Sequence, residues 1–85
     1  MNMVPGKPWL RPVKLALYGD GKYRTVANTR EAVECLMKHW PGTRGQAYRV
    51  ALQTCADVMD GRMGPDSARD AFRRAAEEAA IEVIQ

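Results

Sequence analysis

Residue types that catalysis and metal binding depend on are scarce in this chain. Its 85 residues include one histidine, His39, and two cysteines, Cys35 and Cys55. The cysteines lack the Cys-x-x-Cys spacing of zinc and redox motifs. Structural zinc usually takes a tetrahedral set of protein ligands, and no fourth ligand accompanies these three residues. We therefore expect no metal and no cofactor, with both thiols in or near the core.

Catalytic groupings are equally sparse. A nucleophile needs a base beside it, and the one histidine lies four positions after Cys35 at the end of a predicted helix. Neighbours at that spacing share a helix surface rather than a pocket. Since each catalytic grouping lacks a partner, we expect a protein that is not an enzyme, with no catalytic residues.

Long apolar runs are also missing. No run reaches the roughly 20 residues that a membrane-spanning helix needs, and the N-terminus lacks the apolar centre of a signal peptide. We predict a cytoplasmic protein without a membrane segment, in which both cysteines stay reduced.

The length allows one domain with one core. Hydrophobic residues make up 46% and charged residues 27%, which are ordinary values for a folded globular protein. Residues 1–8 include three glycines or prolines and show no periodicity. We predict a flexible arm over residues 1–8 and one domain over residues 9–85.

A β-hairpin is predicted near the N-terminus. Apolar residues alternate from Val13 to Leu17, the period of a half-buried strand. Pro12, which cannot donate to a ladder, belongs at a strand start or edge. The segment 18–22 carries two glycines and an aspartate, so it predicts the turn into a second strand over residues 23–27.

The first two helices follow from capping signals and apolar stripes. Asn28 or Thr29 should cap the first helix, and Asn28 stands three residues before Glu31, in capping-box register. Pro41 predicts that this helix stops near His39 or Trp40. Thr43 and Gln46 repeat that spacing before a central helix, which Gly61 should end. The predicted apolar faces are Ala32, Val33, Leu36, Met37 and Trp40, then Ala47, Tyr48, Ala51, Leu52, Cys55, Val58 and Met59.

A third helix is predicted after Pro65, capped by Asp66 or Ser67. Phe72 should be its largest core residue. The four-residue spacing of Arg73 to Glu77 and of Arg74 to Glu78 allows an ion pair in each case on its solvated face. Residues 81–84 fit either a continued helix or an extended tail. The predicted fold is α+β: an N-terminal β-hairpin packed on three α-helices (ββααα) in a single small domain.

The charges are unevenly distributed. Residues 1–24 carry a net charge of +4, and residues 65–85 carry −2. Aromatic and basic residues interleave in the hairpin, which suggests a nucleic-acid or partner surface. Its candidate members are Trp9, Arg11, Lys14, Lys22, Tyr23 and Arg24.

The opposing interpretation, which we favour, is that Trp9 and one tyrosine cover the core while the cations stay solvated and blunt the sheet edge. Arg62, Arg69 and Arg73 extend the basic surface only if the third helix turns that side toward the hairpin.

The order of motifs resembles a known family. The shared elements are the basic hairpin, Glu31-Ala32, Leu36, Trp40-Pro41, Ala47, Ala51, Cys55, Gly61, Ala68-Arg69 with Ala71-Phe72, and residues 75–79. Over residues 10–84 they resemble the alpha-proteobacterial domain-of-unknown-function family numbered nine hundred and eighty-two. The resemblance implies a one-domain cytoplasmic bacterial protein with no assigned activity, cofactor or catalytic residue.

These observations favour a non-enzymatic interaction or regulatory module that binds an unknown protein partner. An open two-stranded sheet also favours weak self-association through the hairpin edge. The alternative is weak, sequence-tolerant nucleic-acid binding by the basic hairpin.

Overall fold

A computed structural model describes residues 8–17 and 23–84. Its elements are strands β1 (Pro8–Leu15) and β2 (Arg24–Asn28), helices α1 (Thr29–Lys38), α2 (Gln46–Met59) and α3 (Pro65–Glu78), and strand β3 (Val83–Ile84). This order confirms the predicted α+β fold. The predicted turn at residues 18–22 and all but the last residue of the predicted arm lie outside the described residues.

The sheet has a third strand, in the order β2-β1-β3. β3 pairs antiparallel with β1, with Lys14 opposite Ile84 and Leu15 opposite Val83. The Ala16 amide also donates to the Glu82 carbonyl at 3.0 Å. The extended alternative for residues 81–84 is therefore correct, and one sheet edge that we predicted to be open is covered along part of β1.

β1 is irregular in its first half. Pro8 lies opposite Asn28 and Val13 opposite Val26, so four residues of β1 stand against one of β2. Pro12 falls within this stretch, where a missing ladder donor is tolerated in a central strand. Leu10 also falls here and is 89% exposed. The irregularity therefore interrupts the ladder between Pro8 and Val13 and leaves Leu10 exposed to solvent.

The core lies between the sheet and the helices. α1 packs against β2, and α3 packs against β1 and β3. Phe72 is fully buried, as predicted, and its ring lies 5.8 Å from both the Trp9 and the Trp40 rings, measured between centroids. Tyr48 follows at 6.1 Å from Trp40. These four rings, called the aromatic cluster below, come from β1, the α1–α2 loop, α2 and α3.

The polar atoms of the aromatic cluster have partners. Trp9 Nε1 donates to the Thr29 hydroxyl at 3.2 Å, and the Tyr48 hydroxyl donates to the Leu36 carbonyl at 2.7 Å. Trp40 Nε1 donates to the Thr43 carbonyl at 3.3 Å. Burying an indole or phenol without such a bond costs about 1–3 kcal/mol. The polar atoms of the aromatic cluster are therefore buried without this cost.

α1 begins as predicted. The Asn28 side chain accepts a hydrogen bond from the Glu31 amide at 2.8 Å, and the Glu31 carboxylate accepts one from the Ala27 amide at 2.8 Å. The helix ends at Lys38, and His39 is its C-cap. Met37, which we assigned to the apolar face, is 61% exposed and lies on the outer side of α1 with Arg30 and Glu34.

The predicted cap of α2 is wrong. The N-cap is Gly45, without a side-chain hydrogen bond, and Thr43 takes no part. Instead, the Glu78 carboxylate at the end of α3 accepts hydrogen bonds from the Ala47 and Tyr48 amides at 3.3 and 3.2 Å. A negative charge is favourable at a helix N-terminus. The cap therefore comes from a residue about thirty positions away in the sequence.

Two predictions for α3 also change. The helix starts at Pro65 with Gly64 as N-cap, earlier than a cap at Asp66 or Ser67 would place it, because proline suits the first helical position. Arg74 pairs with Asp70 at 3.2 Å rather than with Glu78. The Glu78 carboxylate is engaged by α2, which leaves Asp70 as the partner one turn before Arg74.

α2 and α3 end in the same turn geometry. After α2, the Gly61 amide donates to the Val58 carbonyl and the Arg62 amide to the Asp57 carbonyl. Gly61 has φ +83°, the left-handed conformation that we predicted for this helix end. After α3, Ala80 takes this position with φ +58°. The second turn sends the chain back to the sheet as β3.

Candidate interaction surfaces

Trp9, a member of the predicted basic surface, is buried and does not belong to that surface. Trp9 is 4% exposed, its ring packs on Phe72, and its indole nitrogen is bonded to Thr29. Base stacking requires a free ring face. Trp9 therefore serves the core, as the interpretation that we favoured requires.

Lys14 and Arg24 lie on opposite faces of the sheet. Arg24 is directly opposite Leu15, whereas Lys14 is opposite Thr25. Directly opposed residues share a face, and Leu15 is fully buried. Arg24 therefore projects on the side of the helices, and Lys14 projects from the exposed side. The two cations do not form one surface.

Arg69 lies beside Arg11, which meets the condition that we set for α3 to extend the basic surface. Arg69 Nε donates to the Arg11 carbonyl at 2.7 Å, so α3 turns this side toward β1. A cavity of about 240 Å³ lies here, lined by Leu10, Arg11, Asp66 and Arg69. Asp66 offsets part of the positive charge. This site is a small patch of mixed charge.

The two remaining predicted members contribute little to this patch. Tyr23 is 50% exposed and precedes β2. Lys22 lies outside the described residues. The structure therefore places the described members of the predicted set in the core, on opposite sheet faces and beside α3, rather than on one continuous surface.

The cysteines are buried thiols. Burial raises the pKa of Cys35 to about 11, although the nearby Arg24 guanidinium opposes part of this effect. Burial alone raises the pKa of Cys55 to about 12. Thiolate, the nucleophilic and metal-binding form, is therefore scarce at neutral pH. Within residues 8–17 and 23–84, no three His, Cys, Asp or Glu side chains gather as metal ligands do.

A surface depression lies between α2 and α3. This α2–α3 groove has a volume of about 420 Å³. It is lined by Gln46, Ala47, Val50, Thr54, Met63, Ser67, Asp70, Ala71 and Arg74. Val50 and Met63 are 49% and 43% exposed. The groove therefore presents apolar side chains to solvent between two helices.

Small residues and a paired charge define the groove chemically. Ala47 and Ala71 line it where larger side chains would fill the space. Asp70 and Arg74 form the exposed ion pair at 3.2 Å, and both side chains are more than half exposed. Since its only two charged lining residues neutralise each other, the groove favours apolar contacts.

The sequence contained a weak signal for this groove. Val50 lies outside the predicted apolar stripe of α2, and Met63 lies in the connection between α2 and α3. Large apolar residues without a predicted interior partner indicate a contact surface only when they lie together on the surface. Their common location required the antiparallel placement of the two helices, which the periodicity did not provide.

The outer edge of β2 is partly occupied. Ala16 donates toward β3, and the pairing alternates along β1, so Leu15 and Val13 bond with β2. Thr25 and Ala27 consequently direct their backbone groups outward. The Ala27 amide is taken by Glu31. Only a short length of this edge, centred on Thr25, offers free backbone groups.

The fold defines a small single-domain α+β protein with its helices on one face of the sheet. The chain belongs to the family described as Protein of unknown function (DUF982), whose model matches residues 11–83. No curated protein and no solved structure matches the chain. Among the described residues, no helix is long and apolar enough to cross a membrane.

The motifs that suggested the family meet in the core. Trp40 of the Trp40-Pro41 pair lies 5.8 Å from Phe72 of the Ala68–Phe72 element. Both residues belong to the aromatic cluster and are nearly or fully buried. Trp40 and Phe72 therefore serve the fold, whereas Ala47 and Ala71 of the same motif set line the α2–α3 groove.

Proposed function

We propose that this protein is a non-enzymatic protein-binding module whose α2–α3 groove receives an apolar segment of a partner. The observation that carries the proposal is the pair of half-exposed residues, Val50 and Met63, in a groove of about 420 Å³. Grooves between helices commonly receive the apolar face of another helix. The proposal therefore commits to a helical protein segment as the occupant.

The volume and lining suit such a segment. Ligand-sized pockets span roughly 300–1,000 Å³, so this groove accommodates a few side chains. Methionine is flexible and polarisable, which lets Met63 adjust to different apolar partners. A helix offering apolar residues at three- and four-residue spacing would contact the groove along its length.

The non-enzymatic part of the proposal is supported by the chemistry of the thiols. The raised pKa values of Cys35 and Cys55 leave both groups protonated and unreactive at neutral pH. The proposal also includes a cytoplasmic location, because both cysteines are free thiols.

The test uses peptides as probes. Peptides of about 15 residues are selected from a randomised library against the immobilised protein and then titrated into labelled protein while amide chemical shifts are recorded. We expect saturable shifts at Val50, Thr54 and Ala71. Val50→Glu should abolish them, because it places a charge on the groove wall.

Met37→Glu is the matched control. Met37 is also an exposed apolar residue, but it lies on α1, away from the groove. The control should bind the peptides like the unmodified protein. If no selected peptide shifts groove amides, or if Val50→Glu binds as well as Met37→Glu, the groove proposal is wrong.

Weak nucleic-acid binding is the second candidate function. The observation that favours it is the Arg69 to Arg11 hydrogen bond, which brings an arginine of α3 beside the basic strand. Charge removal by Arg11→Gln with Lys14→Gln should weaken binding of a single-stranded oligonucleotide and reduce its salt dependence. Unchanged affinity and salt slope in this variant would contradict nucleic-acid binding.

Weak self-association through the sheet edge is a further part of the proposal. The free backbone groups around Thr25 support it, and their small number predicts weak pairing. Thr25→Pro would remove an outward amide donor. Light scattering after size exclusion should show dimers near millimolar concentration, and fewer in this variant. A constant monomer mass would contradict self-association.

A further inference from the structure

Strand β3 is held to the sheet by a short ladder. Within the described part of the chain it pairs with β1 through two residue pairs, and the Ala16 amide donates to the Glu82 carbonyl at 3.0 Å. The side chains of Val83 and Ile84 are only half-buried. A segment with few backbone hydrogen bonds and half-exposed side chains opens locally at a low free-energy cost. β3 should therefore be able to detach while the rest of the fold stays intact.

The turn that leads into β3 stores backbone strain. Ala80 has φ +58°, a left-handed conformation that is unfavourable for a residue with a Cβ. The Ala80 side chain is exposed, so it gains no core contact in return. The turn is closed by the Ile81 amide, which donates to the Ala76 carbonyl at 2.9 Å, and Ile81 itself is buried. The strained conformation of Ala80 is therefore maintained by the residues that follow it.

Detachment would leave two complementary surfaces. Residues 81–84 would carry three large apolar side chains into solvent, and Ala80 would be free to leave the left-handed region. On β1, the backbone groups of Lys14 and Ala16 that face β3 would lose their partners. Leaving such groups and apolar side chains uncovered is unfavourable. A segment that fits the vacated edge by its sequence is residues 81–84 of a second copy.

We propose that two copies of this protein exchange residues 81–84, so that the β3 strand of each copy pairs with the β1 strand of the other. The exchanged strands would regain the contacts that they make within one copy, and both copies would lose the strain at Ala80. A short, strained hinge favours such an exchange between identical chains. The exchange depends neither on the α2–α3 groove nor on the free edge around Thr25.

The exchanged dimer should be a minor and slowly formed species. Its contacts replace those of the single copy, so the relief of strain has to offset the freedom that two molecules lose on association. We therefore expect dimers near millimolar concentration. Because β3 must open before it can pair with another copy, the dimer should form faster when the two copies are refolded together.

An intermolecular spin-label measurement tests the exchange. Glu82 is exposed, so Glu82→Cys can carry a maleimide nitroxide, and the buried native thiols leave the introduced cysteine as the reactive one. Labelled copies are mixed with isotope-enriched copies without the nitroxide, and the mixture is refolded from urea near millimolar concentration. In the exchanged dimer the nitroxide lies beside β1 of the other copy. It should therefore broaden the amide signals of Lys14 and Ala16 more than that of Thr25.

The other patterns would overturn the inference. Broadening that is strongest at Thr25 would show that the copies pair through the outer edge of β2 without exchange. Absence of broadening would show that residues 81–84 stay within their own copy. A nitroxide at Gln53→Cys, an exposed position on α2, is the matched control for random encounters. Equal broadening of Lys14 and Ala16 by both labels would also contradict the exchange.

Two variants of the hinge should change the dimer in opposite directions. Ala80→Gly relieves the strain within one copy, because glycine adopts positive φ without a steric penalty, and should lower the association constant of the dimer by about tenfold. Ala80→Val increases the strain, since a β-branched residue is an outlier at positive φ, and should raise this constant by about tenfold. Light scattering after size exclusion measures both. Unchanged dimer formation in the two variants would overturn the inference.

Gly61→Ala separates strain at the hinge from a general loss of stability. It strains the equivalent turn after α2, which no exchanged strand follows. This variant should therefore leave the dimer constant unchanged. If it promotes dimers as strongly as Ala80→Val does, the dimers arise from overall destabilisation and the exchange is rejected.

Thr25→Pro separates the exchange from self-association through the β2 edge. It removes an outward amide of β2 and leaves β1 and β3 unaltered. The broadening of Lys14 and Ala16 by the Glu82→Cys nitroxide should persist in this variant. Loss of that broadening would show that the copies associate through β2 and would overturn the inference.

Discussion

Two helix starts in this protein are stabilised in different ways. At the start of α1, residues Ala27, Asn28 and Glu31 satisfy one another within five positions of the chain. At the start of α2, the amides of Ala47 and Tyr48 are satisfied by Glu78. The first junction can form as soon as its own residues fold. The second requires α3 to be in place.

The loop between α1 and α2 shows the same dependence on distant residues. Gly42 lies so close to the end of α3 that a Cβ there would stand 2.5 Å from the Ala79 Cβ. Trp40, in the same loop, contacts Phe72 of α3. The comparison indicates that the β2–α1 junction is locally encoded, whereas the α1–α2 loop is held by tertiary contacts.

The largest predicted effect concerns Phe72, which links the β2–α1 junction to the α1–α2 loop. Phe72 contacts Trp9, which bonds to Thr29 of α1, and Trp40, which precedes α2. Phe72→Ala should lower the free energy of unfolding by about 3–5 kcal/mol. Urea unfolding followed by tryptophan fluorescence and by circular dichroism measures this loss.

Phe72→Leu is the control, since it keeps most of the apolar volume and should cost distinctly less than the alanine variant. Amide exchange should accelerate at both junctions in Phe72→Ala. Acceleration at only one junction, or a loss below about 1 kcal/mol, would contradict the linking role of the ring.

The second prediction tests the α1–α2 loop through the close approach of Gly42 to Ala79. Gly42→Ala should lower stability by about 1–3 kcal/mol, because its Cβ would collide with Ala79. In Ala79→Gly protein the same substitution should cost less, which a double-mutant cycle measures. Gly64→Ala is the control without a collision, because its Cβ would meet nothing within 4 Å, and its cost is that of replacing the N-cap of α3. Equal costs in both backgrounds would contradict the contact.

The third prediction compares the two caps directly. Asn28→Ala and Glu78→Ala should each cost about 1 kcal/mol. Their amide-exchange patterns should differ: the first exposes Glu31, and the second exposes Ala47 and Tyr48. Only the Glu78 contribution should fall at high salt, because it rests on a charge.

Glu77→Ala is the matched control for the cap of α2. Glu77 is the preceding carboxylate and is also exposed, so it reports the effect of removing one charge from the end of α3. If Glu78→Ala costs no more than Glu77→Ala while Thr43→Ala lowers stability, the cap suggested by the sequence would be the true one.

The same comparison explains how much could be predicted from the sequence. Asn28 with Glu31, Pro41 and Gly61 act on residues within a few positions, so their spacing alone indicated the helix boundaries. Thr43 and Gln46 had the correct spacing for a cap, yet Glu78 occupies the amides. Local spacing cannot reveal a competing acceptor from another helix.

The candidate site was less predictable than the fold. The α2–α3 groove depends on where Val50 and Ala71 lie after two helices pack, which periodicity does not specify. The hairpin suggested a surface because its residues are neighbours in sequence. Strand pairing then placed Lys14 and Arg24 on opposite faces. Closeness in the sequence was therefore a poor guide to a shared surface, because the alternation along each strand determines which face of the sheet a side chain occupies.

The smallest predicted effect concerns the turn that leads from α3 into β3. Ala80 adopts φ +58°, whereas the equivalent position after α2 is Gly61. An alanine in the left-handed region is strained by about 1–2 kcal/mol, and glycine loses part of that gain through its more flexible unfolded chain. Ala80→Gly should therefore raise the free energy of unfolding by about 0.5–1 kcal/mol.

Gly61→Ala is the reciprocal change. Its Cβ would meet nothing within 4 Å, so only the backbone conformation opposes it. It should lower stability by about 1 kcal/mol, and both variants are measured by urea unfolding. Opposite signs of the change in the free energy of unfolding would show that the two turns are equivalent despite their different residues. A loss of stability in Ala80→Gly would instead show that the Ala80 methyl group contributes contacts that outweigh its backbone strain.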